Sequence, residues 1–354
     1  MSEQNVEIEE SRGENAIENR EVAGLSQGQI VFRRFVRHKA AMTSVIVMVA
    51  VALLAITSIG WGPIPGWWQW NYTQTAPQAN PGGTPTLQLW GESGFRIGDY
   101  PFGQDELGRD NFARVMRGIQ TSLVVMFIVA GVSSAIGILI GAVSGFFRGW
   151  LDSLLMRFTE LFIVVPVLIT GAVLGKLFGS PAPIVLAIAL GVLNWTSLAR
   201  LVRAEFLSLR EREFVEAARV AGASNSRIIF KHMLPNTIAV IIVNTTLMLS
   251  SAVLLETALS YLGFGIQRPE VSLGNLISEY QSAFTTRPWL FWWPGLFIVL
   301  LALCVNFIGD GLRDAFDPRQ RKIPTVRAMR KAERKAQALE LTSTTLPAKN
   351  SKDV

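Results

Sequence analysis

Glu213-Phe-Val-Glu-Ala-Ala-Arg-Val-Ala-Gly222-Ala-Ser-Asn-Ser-Arg-Ile-Ile-Phe-Lys-His-Met-Leu-Pro235 is a polar stretch between long apolar segments. Its neighbours are apolar over the length needed to cross a bilayer, so this stretch must lie in water. Phe214, Ala217, Ala218 and Ala221 recur at i, i+3, i+4 and i+7, which puts them on one face of a helix. Glu213, Glu216 and Arg219 take the other faces. Gly222 stops this helix, because glycine enters the left-handed conformation that other residues avoid. Ser224 is placed to cap a second short helix through Arg227, Ile228, Ile229 and Met233. Pro235 lacks an amide donor and suits the first turn of the helix that follows. The expected unit is a helix–turn–helix at a membrane surface, with small Ala side chains that let another protein approach closely.

Composition agrees with a membrane protein. The chain has 354 residues, of which 50% are hydrophobic and 17% charged, with positive mean hydropathy. A soluble domain carries about a quarter charged residues. The net charge of +6 raises the question of nucleic acid. The basic residues, however, cluster beside apolar segments, as the positive-inside rule requires, so no nucleic-acid partner is expected. Cys304 is the single cysteine and lies in an apolar run, which excludes an intrachain disulfide. With two histidines besides, no metal site or cofactor is expected.

The flanking chain organises into six spans. Residues 1–30 are acidic and polar and read as a disordered tail rather than a signal peptide. Arg33, Arg34, Arg37 and Lys39 precede the first span, Ala40 to Ile59, and the cytoplasmic N-terminal segment is taken as 1–39. Residues 60–118 form an extracytoplasmic loop that opens rich in Trp and Pro. Trp61, Trp67, Trp68 and Trp70 suit an interfacial belt, and Pro63, Pro65 and Pro77 suit irregular chain. Phe112 to Gly118 is expected as a short surface helix. The core domain, 119–310, holds spans at Thr121–Phe147, Phe158–Phe178, Ile184–Leu198, Thr237–Leu259 and Trp289–Ile308. Gly137, Gly141 and Gly145 share one face of the second span and mark a close helix contact. Arg148, Asp152 and Arg157 read as a short inner turn, Pro166 as a kink, Gly179 to Pro183 as a tight outer turn, and 260–287 as an outer segment. The inner loop is 200–236. The basic tail, 311–354, carries Arg319, Arg321, Lys322 and Arg327 among others, suits anionic lipid, and places both termini in the cytoplasm with a multi-pass chain in the cell membrane.

Ionisable groups in spans are costly and often functional. Glu160 and Lys176 lie near opposite ends of the third span, where snorkelling tolerates them. Glu256 and Asn244, both on the fifth helix, are the candidates for a substrate path. For Glu256 a structural hydrogen bond to a neighbouring helix competes with that role. Acids do not form a row across the membrane, so a proton relay is poorly supported. The sequence holds no Gly-x-x-x-x-Gly-Lys-Ser/Thr phosphate loop, no His-Glu-x-x-His and no Gly-x-Ser-x-Gly, so no catalytic residue is assigned and ATP hydrolysis is expected elsewhere.

Two stretches carry a family resemblance. Glu216-Ala217-Ala218, Gly222 and Leu234-Pro235 resemble the cytoplasmic "EAA" loop of the permease subunits of ABC importers, and His232 to Asn236 is similar to the ending found in peptide and nickel permeases. Phe102-Gly-Gln-Asp-Glu-Leu-Gly-Arg-Asp110 is similar to a Phe-Gly-Thr-Asp-x-x-Gly-Arg-Asp stretch of the second membrane subunit of dipeptide and oligopeptide permeases, with Gln104 replacing Thr. Asp105, Arg109 and Asp110 are expected to form an ion-pair and turn network that fixes the outer loop. The resemblance covers about residues 30–318 and implies an all-α integral membrane protein of six transmembrane helices with the type-1 ABC importer permease (MetI-like) fold. It implies a homologous permease as heterodimer partner, two ABC ATPase subunits, an extracytoplasmic substrate-binding protein and a peptide substrate. Glu216, Ala217, Ala218, Gly222, His232, Leu234 and Pro235 become the ATPase-coupling residues. A secondary transporter or channel not coupled to ATP is the alternative, and it needs coupling-ion residues that the spans hardly supply.

Overall fold

The computed structural model describes residues 27–87, 97–177 and 183–316. The acidic residues 1–26, residues 88–96 of the outer loop, the outer turn at 178–182 and the basic segment 317–354 lie outside the described residues. Residues 27–30, read as tail, instead open helix α1 (Gln27–Arg37).

Helix α2 (Lys39–Ile59) begins where His38 Nδ1 accepts the Ala41 amide at 3.1 Å. A minimal antiparallel hairpin, β1 (Gly60–Trp61) and β2 (Ile64–Pro65), turns the chain at its end. Helix α3 (Asn111–Phe147) has 37 residues, so it runs about 55 Å, well past the ~30 Å hydrocarbon core. The separate surface helix expected at Phe112–Gly118 is therefore corrected: it is the projecting first part of α3. Polar residues do not break the helix there because each has a partner. Asp110 caps it by accepting the amides of Phe112 and Ala113. Arg117 pairs with Glu270 at 2.9 Å, and Gln120 donates to the carbonyls of Ala55 and Gly60.

Two spans are broken. Helices α4 (Gly149–Val164) and α5 (Val167–Leu177) meet at 77°, the break falling at Pro166. Asp152 and Arg157, expected in a turn, are helical within α4. Helices α6 (Pro183–Leu193) and α7 (Thr196–Arg210) meet at 44° around Asn194-Trp195, where a single span ending at Leu198 is expected from hydropathy. The first part of the inner loop is thus the continuation of a membrane helix.

Helix α8 (Glu213–Val220) is the short helix of the polar stretch. Helix α9 (Asn225–Tyr261) runs unbroken for 37 residues. The second short helix is corrected accordingly: it is the first part of α9, joined through a π-helical turn over Ile228–Met233. That wider turn lies just before Pro235, whose ring crowds the preceding carbonyls in a regular helix. Helix α10 (Leu273–Tyr280) lies in the outer segment, and α11 (Pro288–Phe316) is the last.

Among the described residues four helices, α2, α3, α9 and α11, are long and apolar enough to cross a membrane, and each bent pair as one span brings the total to six. The glycine ridge of α3 seats α7. A β-carbon at Gly137 would stand 3.0 Å from the Trp195 carbonyl oxygen, at Gly141 2.5 Å from that of Ala199, and at Gly145 2.6 Å from Phe206 Cβ. Close backbone approach of this kind drives packing between membrane helices, where hydrophobic transfer contributes little.

Candidate functional site

The polar stretch folds into an elbow between α7 and α9. Gly222 sits at φ +77°, the left-handed conformation that ends α8. Ser224 Oγ then accepts the Arg227 amide to start α9. The buried face of α8 is Val215 and Ala218, which join Phe146, Val202, Phe206, Ile228, Ile229 and Met233 in one apolar cluster. This differs from the face read in the sequence. Ala218 is buried, whereas Phe214, Ala217 and Ala221 are exposed, because the floor beneath α8 is shaped to receive Val215. Val220 is 90% exposed. The elbow therefore has one side locked into the spans and one side open.

Charged groups pin it to its neighbours. Arg203 of α7 grips Asp152 of α4 in a two-pronged pair at 2.6 and 2.7 Å. Arg148 meets Glu211 at 2.8 Å. Arg210 donates to the Phe146 carbonyl, and the Arg219 guanidinium lies 5.8 Å from the centre of the Phe146 ring. Fork-shaped Arg–carboxylate pairing fixes orientation as well as distance. Asp152 and Arg203 are the structural clamps that sequence reading left unpaired, although both types stand out among their apolar surroundings.

Glu216, Ala217, Ala218 and Gly222 lie together on the elbow, and Leu234 packs against the same apolar cluster. Glu216 is exposed and its side chain bonds to none of the described residues. The His232 carbonyl accepts Asn236 Nδ2 at 2.6 Å, and Pro235 is exposed inside the continuous helix. Glu256 and Asn244 are elsewhere. Glu256 has no exposed surface and takes hydrogen bonds from Ser260 at 2.7 Å and, across to α3, from Ser122 at 3.3 Å. Asn244 lines a recess in the span region.

The far side carries a second polar knot. Arg109 bonds Asp105 at 2.6 Å and Glu279 at 2.6 Å, while Arg114 bonds the same two acids at 3.1 and 2.8 Å. Burial alone would raise the Glu279 carboxyl, but Arg114 and Arg109 together hold it below the usual carboxylate range. Asp110 stands just apart, bonded by the Trp68 indole at 2.6 Å. Burial pushes its carboxyl up to about 6 against the pull of Trp68 and the two capping amides. The network ties the outer loop to α3 and α10. Among the described residues no three His, Cys, Asp or Glu side chains gather as metal ligands.

Comparison with known proteins adds to this geometry. Residues 137–322 match the family described as binding-protein-dependent transport system inner membrane component, and residues 26–85 match the N-terminal TM domain of oligopeptide transport permease C. The chain is 38% identical over 299 residues to the oligopeptide transport system permease protein OppC of Mycobacterium tuberculosis, covering 84% of this chain and 97% of that one. It is 38% identical over 308 residues to OppC of Haemophilus influenzae, covering 86% and 93%. A solved inward-facing MetNI methionine ABC transporter overlaps with TM-score 0.45 at 20% identity, covering 58% of this chain and 98% of that one.

Proposed function

Because this chain belongs to the family of binding-protein-dependent transport system inner membrane components, we infer that it is the moving, membrane-spanning part of an importer whose motor is a separate protein. It is the permease subunit of an ATP-driven peptide importer and a multi-pass protein of the inner membrane. An ATPase and a substrate-binding protein are its partners.

The finer arrangement is part of our reading. A homologous permease pairs with this chain, and the substrate path runs between them. Two ATPases dock on the cytoplasmic side and carry out the hydrolysis, and both termini lie on that side. The binding protein delivers substrate to the opposite face. One observation carries the assignment: α8 buries Val215 and Ala218 in the spans' own apolar cluster while leaving Phe214, Ala217 and Val220 uncovered. An exposed apolar face on a rigidly seated helix is a docking surface, and Ala217 permits close approach.

Transmission follows from the packing. The ATPase moves α8, and α8 cannot move alone because Val215 and Ala218 are embedded among residues of α3, α7 and α9. Close-packed cores shift between discrete arrangements rather than deforming smoothly. Helices α7 and α9 are continuous with membrane segments, so displacement of the elbow reaches the spans directly and alternates access to the path. Exposed Glu216 bonds across the joint. Pro235 and the π turn before it mark where α9 leaves the elbow.

The test is reconstitution. Proteoliposomes holding this chain with its partner permease, ATPases and loaded binding protein are expected to accumulate labelled peptide only with ATP inside the motor's reach. Uptake by this chain alone, without an ATPase, contradicts the reading.

A further inference from the structure

We propose that the recess at the break between α6 and α7 is where this chain hydrogen-bonds the backbone amides of the peptide in transit, an inference that rests on the importer reading above. The recess holds about 220 Å³ and takes its polar lining from Asn194 and Ser197 on one side and Asn244 and Ser251 of α9 on the other, with Leu247 and Met248 between. Asn244, Leu247, Met248 and Ser251 fall at i, i+3, i+4 and i+7, a single face of α9.

Its depth follows from helix length. The eleven residues of α6 span about 16 Å, roughly half of the ~30 Å hydrocarbon layer. With α6 starting at the outer boundary, as the sequence reading of the turn before it has it, the break at Asn194-Trp195 falls near the middle of the membrane. In secondary transporters, discontinuous membrane helices with polar groups at mid-depth form the substrate site, and the same construction suits a path here.

The two asparagine side chains keep unspent hydrogen-bonding capacity, whereas Ser251 donates to the Leu247 carbonyl at 3.1 Å and other nearby hydroxyls are likewise paired. Ser133 donates to the Gly191 carbonyl at 2.8 Å, Ser134 and Thr245 bond each other at 2.8 Å, and Thr246 donates to the Ile242 carbonyl at 2.8 Å. The Asn194 backbone N–H bonds the Leu190 carbonyl at 3.1 Å, and its side-chain amide bonds to none of the described residues. Asn244 uses one donor, to the Val240 carbonyl at 2.8 Å, and leaves its carbonyl oxygen open. An amide left unpaired in hydrocarbon is strongly disfavoured, so the two asparagine side chains face a hydrated path or a polar ligand. An Asn amide offers one acceptor and two donors, the complement of a peptide bond. The recess is lined by no carboxylate, ammonium or guanidinium. A neutral amide wall engages what all peptides share and ignores the charge of their side chains.

The experiment uses the intact importer with all its partners. A photoreactive residue placed at Ser197 or Leu247 is expected to crosslink radiolabelled peptide only when ATP and loaded binding protein are both present. Asn194→Leu combined with Asn244→Leu is expected to reduce uptake about tenfold, the loss of two hydrogen bonds of about 0.5–1.5 kcal/mol each, and equally for acidic, neutral and basic peptides. Crosslinks from both positions only to the partner permease or to lipid would overturn the proposal. So would full uptake by the double variant, or a loss confined to one charge class. In each of those cases ATP-driven uptake by the unaltered importer stands. Its failure is instead the failure of the importer reading. If the double variant does not assemble, the crosslinking in the otherwise unaltered chain decides.

Discussion

Gly141 of α3 lies so close to Ala199 of α7 that a β-carbon added to the glycine would stand 2.5 Å from the alanine's carbonyl oxygen. Backbone cannot yield as a flexible side chain does, so the two helices must separate to admit a methyl group. Gly141→Ala is expected to destabilise the folded chain by about 1–3 kcal/mol. Gly131→Ala is expected to have no such effect, because nothing lies within 4 Å of a β-carbon there. Thermal unfolding of the detergent-purified complex compares the two.

Glu279 neutralises buried arginine. Arg114 is 1% exposed and depends on Glu279 and Asp105. Glu279→Gln leaves part of that charge unmatched, and breaking a buried pair costs about 3–5 kcal/mol. The outer loop and α10 are expected to loosen first, read as faster amide exchange around Leu273–Tyr280 while exchange in the elbow is unchanged. Arg114→Met in the same background is expected to recover part of the loss, since the unpaired cation is then gone.

Asp110 gives stability a pH dependence of defined sign. Its carboxyl is raised from 3.8 to about 6 in the folded chain. The folded state therefore binds the proton more tightly than the unfolded state. The stability this contributes is fully present below pH ~4 and is lost as pH rises through ~6. Glu279 acts oppositely, but only below the ordinary carboxylate range, because its folded value is depressed. Between pH 4.5 and 7 the unfolding temperature is expected to fall in the unaltered protein. It is expected to stay level in Asp110→Asn, which keeps a capping side chain but does not titrate.

Hydropathy locates the six apolar segments, and the kink at Pro166 is legible because proline leaves a carbonyl unbonded. The break at Asn194-Trp195 is not legible, since no proline or glycine occupies it and the apolar run reads straight through it to Leu198. The start of α3 is hidden for the opposite reason. Arg114, Arg117 and Gln120 suit a surface helix separate from the span, yet their partners Glu279, Glu270 and the Ala55 carbonyl arrive from segments distant in sequence and make the helix continuous. The elbow's position is visible in the spacing from Glu216 to Pro235. Its buried face is not, because Ala218 fits two helical faces and only the tertiary floor selects Val215 over Phe214.

We propose that the elbow at Gly222 conveys the motor's stroke to the spans. Gly222 has φ +77° and open space around it, so its role is conformational. Proline fixes φ near −65° and cannot take that place. The most direct measurement is peptide uptake by proteoliposomes containing the complete importer with Gly222→Pro. The variant complex is expected to assemble in the membrane but not to accumulate peptide, and uptake at the unaltered rate contradicts this role of Gly222.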